Sequence, residues 1–177
     1  MKDSAFPGLV AGATLALSLA FLTPTNAVAQ AFKAGENYVG PSISLATYGS
    51  TAAIGGNFEH AVDDKWGWGI AAQYFSYSVP YSLNSDFTTK YVSLAGTAAY
   101  HFEVEGNEKL DPFVGAALGY NIVSINCPGS TCTGAKSSGL LFGGFGGLRY
   151  WVKDNLAITG RTGYGLGYLS AGVDFKF

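Results

Sequence analysis

The sequence has 177 residues and a formal net charge of −2 at pH 7; only 12% of its residues are charged, while 15% are aromatic. This length suits a single domain, and the low charge with many aromatic side chains excludes an intrinsically disordered chain. The near-neutral balance gives no reason to expect nucleic acid as a partner. The mean hydropathy of +0.20 indicates a high apolar content, part of which lies at the amino end.

The amino-terminal segment is predicted to be a cleavable secretory signal peptide. Lys2 precedes a mostly apolar run from Ala5 to Leu22, and Ala27-Val28-Ala29 supplies a small-residue cleavage site. Cleavage there divides the chain into a signal peptide, residues 1–29, and a mature domain, residues 30–177. The apolar run is short for a membrane-spanning helix, so an uncleaved anchor is the weaker alternative.

The mature domain divides into eight segments in which apolar residues alternate with polar or small ones. None offers the roughly 20 consecutive apolar residues of a spanning helix, whereas the strands of membrane barrels are about 9–11 residues long and alternate in this way. The predicted strands are 38–48, 54–59, 66–74, 92–102, 112–124, 139–152, 156–163 and 169–177. The polar segments 79–88 and 126–138 are predicted to be long loops, and Glu103 to Asp111 an acidic link.

The last two hairpins can be tested for register, because paired residues must share a face of the sheet. Pairing Val152 with Leu156 leaves a three-residue turn, and pairing Thr162 with Leu169 leaves Gly165-Leu166 as a two-residue turn. Both are allowed hairpin lengths. The strand assignment is therefore self-consistent.

The charged residues of the strands fall on the face opposite the bulky apolar side chains. They are Glu59, Arg149, Arg161, Asp174 and Lys176, together with the polar His101. A charge facing lipid costs about 2–4 kcal/mol at mid-depth, whereas one in a polar lumen can find a partner. The pattern predicts an all-β, eight-stranded antiparallel up-and-down transmembrane β-barrel. Within its lumen, we expect Glu59 and Asp174 to neutralise Arg149 and Arg161.

Aromatic residues gather near the predicted membrane borders. Trp66, Trp68, Tyr100 and Tyr150 lie near the strand ends expected to face the periplasm. Amphipathic rings favour the membrane–water interface, which predicts an aromatic girdle there. The alternative is that aromatic residues simply suit strands.

Cys127 and Cys132 are the only cysteines, and they bracket Pro-Gly-Ser-Thr within the second predicted loop. No cluster of histidine and cysteine accompanies them, so a disulfide formed in an oxidising compartment is favoured over a zinc site. No metal or other cofactor is predicted.

The signal peptide, the eight strands and the ending Val173-Asp174-Phe175-Lys176-Phe177 resemble the small outer-membrane barrels of Gram-negative bacteria. Outer membrane protein X, the barrel of outer membrane protein A and the opacity-type surface proteins belong to this group. The resemblance implies an integral, monomeric outer-membrane protein in contact with lipid and lipopolysaccharide. It also implies that the barrel assembly machinery reads the terminal strand. The residues of this assembly signal would be Leu169, Ala171, Val173, Phe175 and Phe177.

The function predicted from the sequence is a structural or surface role for a barrel whose lumen is plugged by polar side chains. One alternative is an adhesin or evasion factor acting through residues 79–88 and 126–138, and another is a narrow channel. A lipid A-modifying enzyme would need a histidine beside a serine and an acid. Both histidines, His60 and His101, lie near the predicted periplasmic ends, away from lipid A in the outer leaflet, so no enzymatic activity is expected.

Overall fold

The computed structural model describes residues 31–45, 52–82, 85–126 and 136–177, with only the backbone described for 79–82, 85–87, 126 and 136. The predicted signal peptide and both cysteines lie outside the described residues, so cleavage and the disulfide stay predictions. In the described part of the chain, no helix is long and apolar enough to cross a membrane.

The structure is a closed barrel of eight antiparallel strands, each paired with the next, and β1 is also paired with β8. The strands are β1 (Asn37–Leu45), β2 (Ala52–Ala61), β3 (Trp66–Ser82), β4 (Ser85–His101), β5 (Leu110–Asn126), β6 (Lys136–Lys153), β7 (Leu156–Tyr164) and β8 (Leu169–Lys176). The predicted eight-stranded, up-and-down fold is confirmed. The end where β1 begins and β8 ends is called the terminal end below, and the opposite end the loop end.

The strands fall into two groups by length. β3 to β6 contain 17 or 18 residues each, whereas β1, β2, β7 and β8 contain 8 to 10. Because all strands meet at the terminal end, the four long ones project beyond their neighbours at the loop end. The four long strands form a four-stranded sheet beyond the last pairing of β3 with β2, at Tyr74, and of β6 with β7, at Gly144. This sheet is called the extension below.

The predicted loop 79–88 is wrong, because these residues continue the β3–β4 hairpin. Val79 pairs with Phe87, and Pro80 pairs with Asp86. Pro80 indicated a loop because proline lacks a backbone N–H. Among the described residues, however, β3 pairs with β2 only as far as Tyr74, so its upper part is an edge strand, where proline is tolerated. The second predicted loop is also shorter, since β5 reaches Asn126 and β6 starts at Lys136.

The predicted registers hold along the last two hairpins, but both turns differ. Tyr150 pairs with Ile158 as predicted, yet Lys153 rather than Val152 pairs with Leu156. The extra residue forms a bulge, which shortens the turn to two residues.

Thr162 pairs with Leu169 as predicted. The predicted two-residue turn at Gly165-Leu166 is wrong, because residues 165–168 all lie between the strands. Gly165 and Gly167 have φ of 98° and 102°, a backbone conformation that glycine adopts without steric cost.

The interior of the barrel is filled by small, aromatic and charged side chains. One buried cluster, Phe32, Tyr38, Ala61, Trp151 and Ala157, lies at the terminal end. Two smaller clusters lie toward the loop end, one of Ala53 and Phe75 and one of Ala95, Ala117 and Leu141. The charged residues lie between these apolar layers, so the lumen is less uniformly polar than the sequence pattern predicted.

Candidate functional site

The most concentrated chemistry of the molecule is a buried charged cluster in the lumen. Its members come from five strands: Glu59 of β2, His101 of β4, Asp111 of β5, Arg149 of β6 and Asp174 of β8. The strand alternation points all five inward, and the register places Asp111 directly opposite Arg149. The cluster therefore connects strands from all sides of the barrel.

Arg149 lies at the centre of this cluster and is fully buried, at 0% exposure. Its Nη2 is 2.8 Å from Glu59 Oε2, its Nη1 is 3.0 Å from Asp111 Oδ2, and its Nε is 2.9 Å from Asp174 Oδ2. Charge-assisted hydrogen bonds of this kind are the strong ones, and the planar guanidinium directs them rigidly. One side chain thereby ties β6 to β2, β5 and β8.

His101 bridges two of the same carboxylates. Its Nδ1 is 2.6 Å from Asp111 Oδ1, and its Nε2 is 3.1 Å from Glu59 Oε1. A neutral imidazole has one N–H, so both contacts are hydrogen bonds to ionised carboxylates only when the ring carries two protons. In that state, His101, Arg149 and the nearby Arg161 balance the three carboxylates.

The structure brings three of the four residues predicted for the lumen network into direct contact: Glu59, Arg149 and Asp174. The fourth, Arg161, is farther away, with its Nη2 3.9 Å from Asp174 Oδ2. Lys176 is also an inward cation of the predicted pattern, and its Nζ lies 3.1 Å from Glu36 Oε1 at the terminal end.

Sequence reasoning missed Asp111, because the prediction places it at the end of the acidic link from Glu103 to Asp111. β5 instead begins at Leu110, and Asp111 is buried. The signal that could have found it was available, because Asp111 shares the inward parity of Phe113 and Ala117. Pro112 obscured it, since proline is unusual within a strand.

A glycine on β3, Gly67, leaves room for the charged cluster. A Cβ atom added at Gly67 would lie 2.6 Å from Glu59 Oε1 and 3.0 Å from Glu59 Cγ. Glu59 cannot move aside freely because its carboxylate is held by Arg149 and His101. The absence of a side chain at Gly67 therefore leaves the space that the Glu59 carboxylate occupies.

The segment before β1 closes the terminal end of the lumen. The Phe32 ring is buried and stacks on the His101 ring, with 3.6 Å between ring centroids and 4° between planes. Gly35 N–H donates a hydrogen bond to the Ala61 carbonyl, which ties this segment to β2. Sequence reasoning missed Phe32 because it precedes the first alternating segment.

The residues predicted for the assembly signal and the girdle lie on the outer face. Leu169, Ala171 and Phe175 point outward and are exposed, and Val173 is half-buried. Phe177 follows β8, and its backbone exchanges two hydrogen bonds with Asn37. The outward girdle residues are Trp66, Trp68, Tyr100 and Tyr150. Trp66 pairs with Tyr100, and their rings meet edge to face at 5.1 Å.

Neither a family model nor a curated protein matches this chain, but several solved structures share its fold. Ail, the attachment invasion locus protein of Yersinia pestis, solved with the heparin analogue sucrose octasulfate, is 14% identical with a TM-score of 0.58; the match covers 81% of this chain and 99% of that one.

The outer membrane protein OprG of Pseudomonas aeruginosa is 14% identical with a TM-score of 0.57, and the match covers 85% of this chain and 99% of that one. Neisserial surface protein A is 22% identical with a TM-score of 0.52, and the match covers 80% and 95%. At these identities the similarity concerns the fold alone: this chain has the architecture of small eight-stranded outer-membrane barrels.

Proposed function

We propose that this chain is an integral outer-membrane β-barrel of a Gram-negative bacterium with a structural or surface role. The observation that carries the proposal is the inverted distribution of side chains. Large apolar residues are exposed on the outer face, among them Ile43 and Phe142, each at 64%, whereas the cluster around Arg149 is buried inside. Soluble monomers rarely expose apolar patches larger than a few hundred Å². Lipid and the apolar part of lipopolysaccharide are the partners that suit this surface.

The charged cluster, in this proposal, closes the lumen rather than lining a channel. Arg149 and His101 span the interior with hydrogen bonds to three carboxylates, and Phe32 covers the cluster from the terminal end. An eight-stranded barrel has an interior just wide enough for side chains to fill. We expect the refolded protein to give no single-channel steps in planar bilayers. Regular conductance steps would instead favour the narrow channel.

Cell fractionation tests the membrane location. The full chain, expressed in a Gram-negative host, should be recovered with the outer membrane and should migrate differently on a gel with and without heating. A matched variant, Ile43→Asp, places a charge on the outer face, where Ile43 is exposed. Because a lipid-facing charge is costly, its outer-membrane yield should fall. Recovery of the unsubstituted protein in the soluble periplasmic fraction would contradict the proposal.

A second candidate function, an adhesin or evasion factor, is favoured by the extension. About 10 residues suffice for a strand to cross the membrane, and β3 to β6 have 17 or 18. The additional residues of these strands would lie outside the cell. Ail, which has a similar fold, is named as an attachment invasion locus protein. We infer that the extension, rather than the predicted loops 79–88 and 126–138, would be the binding surface.

Shortening one hairpin tests this second function. Tyr77 pairs with Thr89, so replacing residues 78–88 by Asn-Gly joins a paired position through a favourable two-residue turn. Binding of cells to host tissue or matrix should fall while the outer-membrane yield stays unchanged. Unchanged binding by the shortened protein would remove the extension from consideration.

A further inference from the structure

A second polar site lies in the lumen, between the charged cluster and the loop end. It is a cavity of about 40 Å³ lined by β1, β2, β3, β4 and β6 to β8. Its lining includes the polar residues Ser42, Asn57, Gln73, Thr97, Arg161 and Ser170. A single water needs roughly 10–15 Å³ on this measure, so the cavity has room for about three waters or one small polyatomic ion.

Among the described residues that line this cavity, Arg161 is the only cation. Its Nε is buried without a hydrogen-bond partner. Its Nη2 comes only within 3.9 Å of Asp174 Oδ2, which is beyond hydrogen-bond distance. The guanidinium is positioned instead by aromatic rings, 5.3 Å from the centroid of Phe113 and 6.0 Å from that of Phe145. Arginine carries five N–H donors, and a buried donor left without an acceptor is costly.

The hydrogen-bond acceptors of the charged cluster are all satisfied without Arg161, which adds only its charge to the balance. Asp174 Oδ2 already accepts hydrogen bonds from Arg149 Nε at 2.9 Å and Thr159 Oγ1 at 2.6 Å. Asp174 Oδ1 accepts one from Asn57 Nδ2 at 3.2 Å, and both oxygens of Glu59 and of Asp111 are bonded to Arg149 or His101. Arg161 is therefore a surplus donor beside the cavity.

The turn between β7 and β8 covers the cavity from the loop end. The Gln73 side chain donates hydrogen bonds to the Leu166 carbonyl and to Ser44 Oγ, which holds residues 165–168 across the lumen. Leu166 also packs beside Ala95, Ala117 and Leu141. The cavity thus has a cationic side, a hydroxyl- and amide-bearing wall, and a cover.

We propose that this cavity binds a small oxyanion, a short carboxylate being the preferred class, with Arg161 as its anchor. A carboxylate offers two acceptor oxygens in the plane that suits a guanidinium fork, and the hydroxyls of Ser42, Thr97 and Ser170 in the wall are further possible donors. The size of the cavity limits the ligand to about the dimensions of acetate. Neither the membrane location nor the binding role of the extension is needed for this proposal.

The sequence itself provides the test, because Arg149 and Arg161 are its only arginines. The Nε–Hε region of a nitrogen–proton correlation spectrum of the refolded protein should therefore contain two arginine signals. They can be assigned through proximity to the Tyr38 ring for Arg149 and to the Phe145 ring for Arg161. Sodium acetate, and separately sodium sulfate, would be titrated against sodium chloride at equal ionic strength.

We expect the chemical shift of the Arg161 Nε–Hε signal to change with acetate concentration and to reach a plateau. The Arg149 signal should not change. Arg161→Lys should weaken binding at least tenfold, measured at the backbone amides of Thr162 and Gly163. The control Lys90→Gln removes an exposed cation outside the cavity and should leave the titration unchanged. Saturation by sulfate but not acetate would overturn the preference for carboxylates. Shifts that match sodium chloride, or that affect both arginines equally, would mean that the cavity holds water only.

Discussion

Arg149 places one guanidinium within hydrogen-bond distance of carboxylates on three other strands, and no part of it reaches solvent. Burying a charge is costly, and the mutual attraction of the partners offsets that cost only when the geometry is good. Removing one partner is a different matter, because the remaining charges stay buried and unpaired. The contribution of Arg149 to stability is therefore best measured by replacing it with a neutral residue.

Arg149→Gln should lower the free energy of unfolding by about 3–5 kcal/mol, since three carboxylates would lose their central partner. Urea unfolding in lipid vesicles, followed by gel mobility without heating, measures this change. The control Lys153→Gln alters an exposed cation beside the β6–β7 turn and should change stability by less than about 0.5 kcal/mol. Equal effects of the two substitutions would show that the cluster contributes no specific stability.

Gly67→Ala should also destabilise the barrel, because the new methyl group would press on the Glu59 side chain that Arg149 and His101 hold. Overpacking of this kind costs about 1–3 kcal/mol. Gly160→Ala is the matched control, since a Cβ at Gly160 meets nothing within 4 Å. The same unfolding measurement should find Gly160→Ala neutral or slightly stabilising. A neutral Gly67→Ala would mean that Glu59 is not tightly positioned.

At the scale of the elements, β8 combines two roles that can be separated. Its pairing with β1 closes the barrel, and the backbone of Phe177 continues that pairing through Asn37. The Phe177 ring is 71% exposed, so it adds little to the packing of the folded chain. A requirement for that ring would therefore point to recognition during assembly rather than to stability.

Phe177→Ala should change the stability of the refolded barrel by less than about 0.5 kcal/mol. In cells, we expect the amount of heat-modifiable protein in the outer membrane to fall several-fold, because the resemblance assigns the terminal aromatic to the assembly signal. Phe102→Ala, at another exposed aromatic of the terminal end, is the control and should assemble normally. Equal yields from both variants would contradict the assembly role.

The strands themselves could be predicted because alternation is local information, and the structure pairs Thr162 with Leu169 and Tyr150 with Ile158 in the predicted registers. Strand ends could not, because they depend on neighbours. In the described part of the chain, β3 pairs on one side only at Pro80, where proline is tolerated, and Val152 is left out of the pairing by a bulge.

The candidate site was only partly predictable for the same reason. Inward parity indicated Glu59, Arg149, Arg161 and Asp174, but parity does not give distances. Only the closed barrel shows that Arg161 lies beyond hydrogen-bond distance of Asp174, while Asp111 and His101 complete the cluster. Phe32 carries no strand signal, and its contact with His101 depends on how the preceding segment folds back.

For the whole molecule, the proposed membrane location requires that the outer surface of the barrel contacts lipid. The three tryptophans of the chain report on this directly, because Trp66 and Trp68 point outward near the terminal end and Trp151 is buried in the lumen. Aromatic side chains at that level should lie near the lipid headgroups. The molecule therefore carries probes on both sides of its wall.

The most direct test is quenching of tryptophan fluorescence by lipids brominated near the headgroup end of their chains. With Trp151→Phe, the fluorescence of Trp66 and Trp68 should be strongly quenched in brominated vesicles relative to unbrominated ones. With Trp66→Phe and Trp68→Phe together, the fluorescence of Trp151 should change little. Quenching of Trp151 as strong as that of the outer pair, or no quenching of the outer pair, would contradict a barrel with its apolar face in lipid.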